Sequence, residues 1–480
     1  MSSLSPAAAA AVHVPDHQAG RRRDWMTIAL VAMAHAVSHF FQLVIPSLYV
    51  SLGAEFGLDF ARLGLLASAF YVTSGLGQAS SGFVVDRIGA RPVLWFGLGA
   101  FVVSGVLLGT AGGYPMLLAA AFVGGAGNSV FHPVDFAIFN HRVSPRRLGH
   151  AFSAHGLTGN LGWALTPVFI TTLTLLFGWR AAAFGAALVA GAALALTVLG
   201  RGLLQGDAAL APAAGAAVAK PAAPGAGLAG AGPAVQAADR RASQAATATQ
   251  AGVAAGPGQG MGRAAPQAAA QSPGPADALP TGVLDTLLML LRSPALWGAF
   301  LFFACSSLGM SAVQNYTIPL LGDLYGLSRV AASSALSGYM LASAFGMMLG
   351  GFLVSATPRS ERVVGASLVF AGVSLVLLAT GIVPGSLAIP AVAAAGLCAG
   401  VAGPSRDMLI RRVTPRGATG SVYGLVYCGM DVGAACGPLL FGLMLDAGLG
   451  QGPWLGAAAA FVLAAVLAAL IARAAVAQGR

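Results

Sequence analysis

The sequence predicts an all-α integral membrane protein: twelve transmembrane helices in two pseudo-symmetric six-helix bundles. Three observations predict it. Charge is scarce, apolar segments of spanning length recur, and one register repeats in both halves of the chain.

Charge comes first. Of 480 residues, 57% are hydrophobic and only 8% charged, and mean hydropathy is +0.79. A soluble domain carries roughly 25% charged residues. So few charges cannot cover a water-facing surface of this size, and the missing polar surface implies one that faces lipid. Cys305, Cys398, Cys428 and Cys436 all lie in apolar stretches, with no C-x-x-C pair. They read as small membrane-buried residues, not as a disulfide or zinc framework. No Ser-His-Asp, metal-ligand or phosphate-loop constellation stands out, so no enzyme, bound metal or cofactor is expected.

A helix crossing ~30 Å of hydrocarbon needs roughly 20 mostly apolar residues. Six such spans fit in the first half, at 26–50, 63–85, 92–111, 114–139, 148–177 and 180–200. Six more follow at 294–320, 331–355, 363–381, 386–410, 419–445 and 453–474. The expected organisation is a tail (1–25), a first bundle (26–200), a linker (201–285), a second bundle (286–474) and a short tail (475–480). The linker is Ala, Gly, Pro and Gln with almost no large apolar residue, a composition that cannot offset chain entropy by burial. The run at 26–50 is too long for a signal-peptide core, and Arg21-Arg22-Arg23 before it reads as a cytoplasmic anchor.

The basic residues set the orientation. With both ends cytoplasmic, only Arg62, Arg180 and Arg329 of the 25 Lys and Arg residues fall outside, and Arg406 falls within a span. That placement accounts for the +10 net charge without a nucleic-acid partner. The location expected is a cytoplasmic (inner) membrane.

The halves repeat. Ser68, Ser74, Gly77, Gly82, Phe83 and Val85 recur 269 residues later as Ser337, Ser343, Gly346, Gly351, Phe352 and Val354. At an offset of 271, Pro133, Gly149, Gly162 and Pro167 recur as Pro404, Gly420, Gly433 and Pro438. Duplication of a six-helix unit typifies secondary transporters, whose halves rock around a site near the midplane.

Motifs then point to a family. The loop after the second span reads Gly82-Phe83-Val84-Val85-Asp86-Arg87-Ile88-Gly89-Ala90-Arg91. It resembles the G-x-x-x-D-R-x-G-R-R loop of the major facilitator superfamily, departing at Ala90. In the eleventh span, Gly433-Ala434-Ala435-Cys436-Gly437-Pro438 resembles that family's G-x-x-x-G-P antiporter motif. A closer likeness is to the fosmidomycin-resistance group of bacterial exporters. Ser38-His39, Asn128-Ser129-Val130-Phe131-His132-Pro133 and Gly159-Asn160-Leu161-Gly162 carry it. Phe40-Phe41-Gln42 and Val134 depart from that group's pattern. The resemblance implies a two-bundle transporter in which spans 1, 4, 7 and 10 line a central cavity. It also implies that Gly82, Asp86, Arg87, Gly89 and Arg91 lock the outward-facing state, with Arg142 as a partner. The alternative for that loop is orientation by positive charge alone.

Ionisable groups in hydrocarbon cost at least ~2.5–3.5 kcal/mol at a helix centre, so they face a cavity or a partner. His35, His39 and Gln42 share one helical face of the first span, and Asn128, His132 and Asp135 share one of the fourth. The two stripes are expected to face each other across the cavity. Histidine titrates near neutral pH, which makes His35, His39, His132 and Asp135 candidates for proton coupling. Asp431, standing where the repeat places Asn160, is a further candidate. The competing reading is structural histidines bonded between helices. Gln42, Asn128, Gln314, Asn315, Tyr316, Arg406 and Asp407 are candidates for substrate contact, although Arg406 and Asp407 also read as a local ion pair. Gly433, Gly437 and Pro438 read as a packing and hinge surface. His155 and Trp163 have no partner that spacing names.

The function expected is a secondary transporter, a proton-coupled antiporter exporting a small organic molecule. An importer of an organic anion anchored by Arg406 is the first alternative. A non-transporting membrane sensor signalling through its linker is the second. A small-molecule substrate, protons and lipid are the expected partners, and a monomer the expected state.

Overall fold

The computed structural model describes residues 17–204, 293–357, 359–413 and 419–477. Regular structure among them is helical throughout. The first half holds α1 (His17–Gln42), α2 (Val44–Phe56), α3 (Phe60–Ile88), α4 (Ala90–Gly109), α5 (Tyr114–Asn128), α6 (Phe131–Arg142), α7 (Leu148–Phe177), α8 (Trp179–Leu199) and α9 (Arg201–Leu204). The second holds α10 (Pro294–Tyr325), α11 (Arg329–Ala356), α12 (Ser360–Ala379), α13 (Gly385–Val413), α14 (Thr419–Asp446) and α15 (Gly452–Ala477). The expected linker falls outside the described residues from 205 to 285, as do the chain's first sixteen and last three residues.

Among the described residues, eleven helical segments are long and apolar enough to cross a membrane, with α1–α2 and α5–α6 each counted as one. The twelfth traverse is α3, 29 residues long, whose middle is diluted by Ser68, Thr73, Ser74, Gln78, Ser80 and Ser81. Helices outrun the apolar segments that announce them. The first begins at His17, ahead of the apolar run, because a helix need not stop where hydrocarbon does.

Two joints are single glycines of positive φ. Gly89 (φ 88°) links α3 to α4, and Gly178 (φ 86°) links α7 to α8. A side chain at such a φ is strained, so these positions set sharp reversals between adjacent traverses. Two traverses break midway, and prolines explain where. Pro46 and Pro133 each lack the N–H that would reach the carbonyl four residues back. The interruptions sit at Leu43 and at Ser129-Val130. The Ser81 hydroxyl donates to the Ser129 carbonyl at 3.2 Å, satisfying the group that Pro133 leaves open.

Inside the first half α1 packs on α7, α4 on α5 and α8, and α3 on α5. Inside the second, α11 packs on α13, α10 on α14 and α15, and α12 on α13 and α15. Small residues allow the approach: a Cβ at Gly162 would lie 2.1 Å from the Ala36 carbonyl, and one at Gly433 2.2 Å from that of Ala304. Between halves, α3 meets α14 and α7 meets α11. The repeat maps α3 onto α11 and α7 onto α14, so these two seams are one contact seen from either side of the pseudo-twofold axis.

Both ends of the described chain lie on one face. Thr27 near the start of α1 and Arg142 at the end of α6 both donate to the Leu203 carbonyl (3.1 and 3.2 Å), and Arg142 also to that of Gly202 (2.8 Å). Ile471 of α15 lies against Gly298 of α10 on the same side. We call this the terminal face and the other the distal face.

Candidate functional site

Two parallel helices build the site. α1 presents His35, His39 and Gln42 on one face. α7 presents His155, Gly159 and Trp163 at i, i+4 and i+8. The two stripes meet rung by rung. The rings of His35 and His155 stack with centroids 3.4 Å apart. His39 lies over Gly159, where a Cβ would come 2.9 Å from the imidazole. Trp163 Nε1 donates to Gln42 Oε1 at 2.9 Å.

α6 adds a carboxylate to the first rung. Asp135 is fully buried, at 0% exposure. His155 Nε2 is hydrogen-bonded to Asp135 Oδ2 at 3.1 Å. His35 Nδ1 lies 3.0 Å from the same oxygen, but out of line for a hydrogen bond, and Asp135 Oδ1 has no partner. His132, one turn before Asp135, is exposed, with its ring 5.4 Å from that of His35 and 5.7 Å from that of His155. Four imidazoles and one carboxylate thus share one locus where each rejects an apolar surround.

A neutral relay continues from the third rung. Gln42 Nε2 donates to Asn128 Oδ1 at 3.2 Å, and Asn128 Nδ2 donates to Ser74 Oγ at 2.8 Å. Trp163, Gln42, Asn128 and Ser74 therefore tie α7, α1, α5 and α3 together. Gln42 and Asn128 are the last residues before the two helix breaks, so the relay bridges the points where backbone bonding lapses.

The expectation that the stripes of the first and fourth traverses face each other across a cavity is corrected here. They pack together within the first half, because α7 supplies the matching polar stripe and Asp135 points into it. His132 alone of the group is exposed, heading an exposed line that continues through Phe136 and Asn140 at i+4 and i+8. His155 and Trp163 are the residues that spacing left without partners. The i, i+4, i+8 pattern with a central glycine was the available signal.

The second half's candidates lie elsewhere. Asn315 accepts from the Tyr49 hydroxyl at 3.0 Å. The Tyr316 hydroxyl donates to the Pro438 carbonyl and lies near that of Phe60. Both residues therefore belong to a seam between halves rather than to an open cavity. Gln314 is buried, with Nε2 unpartnered. The Arg406 guanidinium sits 4.8 Å above the Phe303 ring. The Asp407 side chain lies outside the described residues. Asp431 borders the α3–α14 seam, where a Cβ at Gly75 would lie 3.3 Å from its own Cβ. Asp431 is thus apart from the histidine cluster. Gly437 abuts Ser311.

The seam is dense toward the distal face. Asp446, at the end of α14, accepts from the backbone N–H groups of Phe60 (2.9 Å) and Ala61 (2.7 Å), capping α3 across the halves. Arg329 donates to Ser51 at 3.2 Å, and Thr171 and Ser333 share a 2.6 Å hydrogen bond. A cavity of about 410 Å³ opens there among Tyr49, Phe60, Asp323 and Arg329. On the terminal face the loop after α3 is looser. Asp86 and Arg87 are exposed, and Arg91 lies 5.3 Å from the Trp95 ring. Arg142 bonds the α9 carbonyls described above. Gly82 ends no helix and packs against no neighbour that a Cβ would meet.

Comparison with known proteins adds the family. The profile described as "Major Facilitator Superfamily" matches residues 25–328 and 301–478. The fosmidomycin resistance protein of Escherichia coli (strain K12) is 30% identical over 158 residues, 33% of this chain and 38% of that protein. A multidrug resistance protein B homolog of Mycobacterium tuberculosis is 25% identical over 154 residues, 32% of this chain and 28% of that protein. These matches thus span well under half the length of either relative. Among solved structures, a bacterial homolog of the human lysosomal transporter Spinster superposes with a TM-score of 0.61 at 14% identity, covering 94% of this chain and 96% of that one. That likeness concerns the fold.

Proposed function

This chain belongs to the Major Facilitator Superfamily, and we propose that it is a proton-coupled antiporter that exports a small organic molecule from a bacterial cytoplasm. It is a multi-pass membrane transporter and not an enzyme. The terminal face is assigned to the cytoplasm by the distribution of Arg and Lys.

The observation that carries the proton role is Asp135. A fully buried carboxylate needs either a proton or a positive partner. His155 from α7 and His35 from α1 are both at its Oδ2. His132 from its own helix and His39 from α1 complete the titratable groups around it. A proton delivered through exposed His132 has a short path to this group. Moving it changes the charge at the joint of α1, α6 and α7. α7 also forms the seam with α11, so a change in that joint bears directly on how the halves meet.

Alternating access then has two named ends. Asp446, Arg329 and the Tyr49–Asn315 pair join the halves at the distal face. Opening of that face requires this set to part. Export fits a resting state that loads from the cytoplasm.

The test begins with a susceptibility and metabolite-export screen of a deletion strain, which supplies a substrate. Vesicles carrying the purified protein are then given a pH gradient. Wild type is expected to move that substrate against protons, and Asp135→Asn to be correctly inserted yet inactive. Full gradient-driven transport by Asp135→Asn sinks the proton role. Inward movement of an organic anion with protons, lost in Arg406→Gln, replaces export by import.

A further inference from the structure

We infer that the histidine cluster is a binding site for a divalent transition-metal ion of borderline softness, such as Zn²⁺, Co²⁺ or Ni²⁺. His35, His132 and His155 are its ligands, and Asp135 is the carboxylate that orients two of them.

Geometry comes first. One ring nitrogen from each of the three histidines lies within 4.8 Å of the others. Zinc–imidazole bonds of ~2.0–2.1 Å in a tetrahedron place ligand nitrogens roughly 3.4 Å apart. The cluster must therefore contract by about an ångström or more, and His132 is the arm that can do it. It is exposed and makes no hydrogen bond among the described residues, and the stacked rings of His35 and His155 must part for their nitrogens to converge on one ion. The exposed side of His132 is also the way in for an ion.

Asp135 supplies the second argument. Metal-bound imidazoles usually direct their other ring nitrogen at a carboxylate, which fixes tautomer and orientation. Asp135 Oδ2 lies 3.0 Å from His35 Nδ1 and 3.1 Å from His155 Nε2. Each ring keeps a second nitrogen that Asp135 does not take. The His35 Nδ1 contact is out of line, and that nitrogen is otherwise unpartnered although its residue is only 2% exposed. A buried polar atom in that condition requires an explanation. A metal on the far nitrogen gives one, because it holds the proton on Nδ1 and turns the ring toward Oδ2. Three imidazoles select a transition metal, since Mg²⁺ and Ca²⁺ demand oxygen ligands. No spacing in the sequence announces the site, because its ligands come from three separate helices.

The experiment uses the full chain in detergent, purified without a polyhistidine tag and titrated with Co²⁺ in a non-chelating buffer. One Co²⁺ per chain is expected, with the intense visible bands of four- or five-coordinate cobalt, bleached by Zn²⁺. His132→Ala and His155→Gln are each expected to lose the bands. Asp135→Asn is expected to keep them with about 10–100-fold weaker affinity. His141→Ala and His150→Ala, outside the cluster, are expected to match wild type. A wild-type chain showing only weak six-coordinate absorption overturns the inference, and so do bands that survive in His132→Ala. Since His132 is exposed, its truncation opens no core cavity, and size-exclusion elution checks the fold. Transport is measured separately. A wild type that exchanges substrate for protons yet shows no cobalt bands ends the metal site and leaves the proton reading intact.

Discussion

The two halves share a scaffold and divide the chemistry. Under the 271-residue offset, Asp135 of α6 corresponds to Arg406 of α13, and Pro133 to Pro404. The α7 stripe of His155, Gly159 and Trp163 corresponds to Val426, Met430 and Ala434 of α14. One half thus buries a carboxylate among imidazoles, while the other holds a guanidinium over the Phe303 ring. What duplication kept is the set of small residues and prolines that shape the helices. What it let diverge is the polar content at equivalent depths. A buried ionisable group is tolerated only with partners in place, so partners and group must change together. That is why the first half carries the whole cluster and the second carries almost none of it.

The largest expected effect comes from making the first half as inert as the second. Asp135→Asn removes the charge and keeps the shape. Gradient-driven transport in vesicles is expected to fall to background, while Arg406→Gln is expected to change substrate affinity and leave the pH profile of transport in place. If the two variants behave alike, the division between halves is wrong. Next in size is His155→Leu. It deletes the well-aligned hydrogen bond to Asp135. Hydrogen bonds to charged groups are worth about 1.5–3 kcal/mol, so a loss of about ten- to a hundredfold in transport rate is expected. A shifted pH profile would separate that role from simple packing, which lowers the rate without moving the profile.

Much of this division was legible in the sequence. Hydropathy placed the spans, and the repeat offsets paired α3 with α11 and α7 with α14. His35, His39, His132 and Asp135 stand out because ionisable residues are so rare in these segments. Their neighbourhood was not legible. Stripes on α1 and α6 have no preferred partner until the packing of α1 on α7 is known, and that depends on Gly159 and Gly162 letting the helices touch. Asn315 and Tyr316 failed differently. Polar residues of the seventh traverse suit a cavity or a seam equally well by composition, and the positions of α2, α3 and α14 decide. The equivalence of Asp135 and Arg406 was present in the numbering, but it gains meaning only once α6 and α13 are known to occupy matching places.

The seam tests the comparison from outside the cluster. Asp446 of the second half caps the N-terminus of α3 in the first, with both carboxylate oxygens used. An N-cap is worth about 1 kcal/mol, or about fivefold in a two-state population. Asp446→Ala is expected to shift the ensemble toward distal opening by that factor, read as faster labelling of a cysteine placed at Ser333. Asp446→Asn retains an acceptor and is expected to shift it less. An unchanged labelling rate in Asp446→Ala would show that the remaining distal contacts suffice to hold the halves.

The smallest effect is expected at the far end of the stripe. Trp163→Phe deletes the Nε1–H that Gln42 Oε1 accepts and preserves most of the aromatic contact with His39, whose ring centroid is 4.2 Å away. A neutral hydrogen bond contributes about 0.5–1.5 kcal/mol net. Gln42 retains its bond to Asn128, so the relay loses one link and not its anchor. Thermal unfolding in detergent is expected to drop by less than about 4 °C, with proton-driven transport close to wild type. A collapse of transport in Trp163→Phe would mean that the neutral relay and the charged rung act as one unit. The functional boundary would then run through all of α7's stripe rather than stopping at His155.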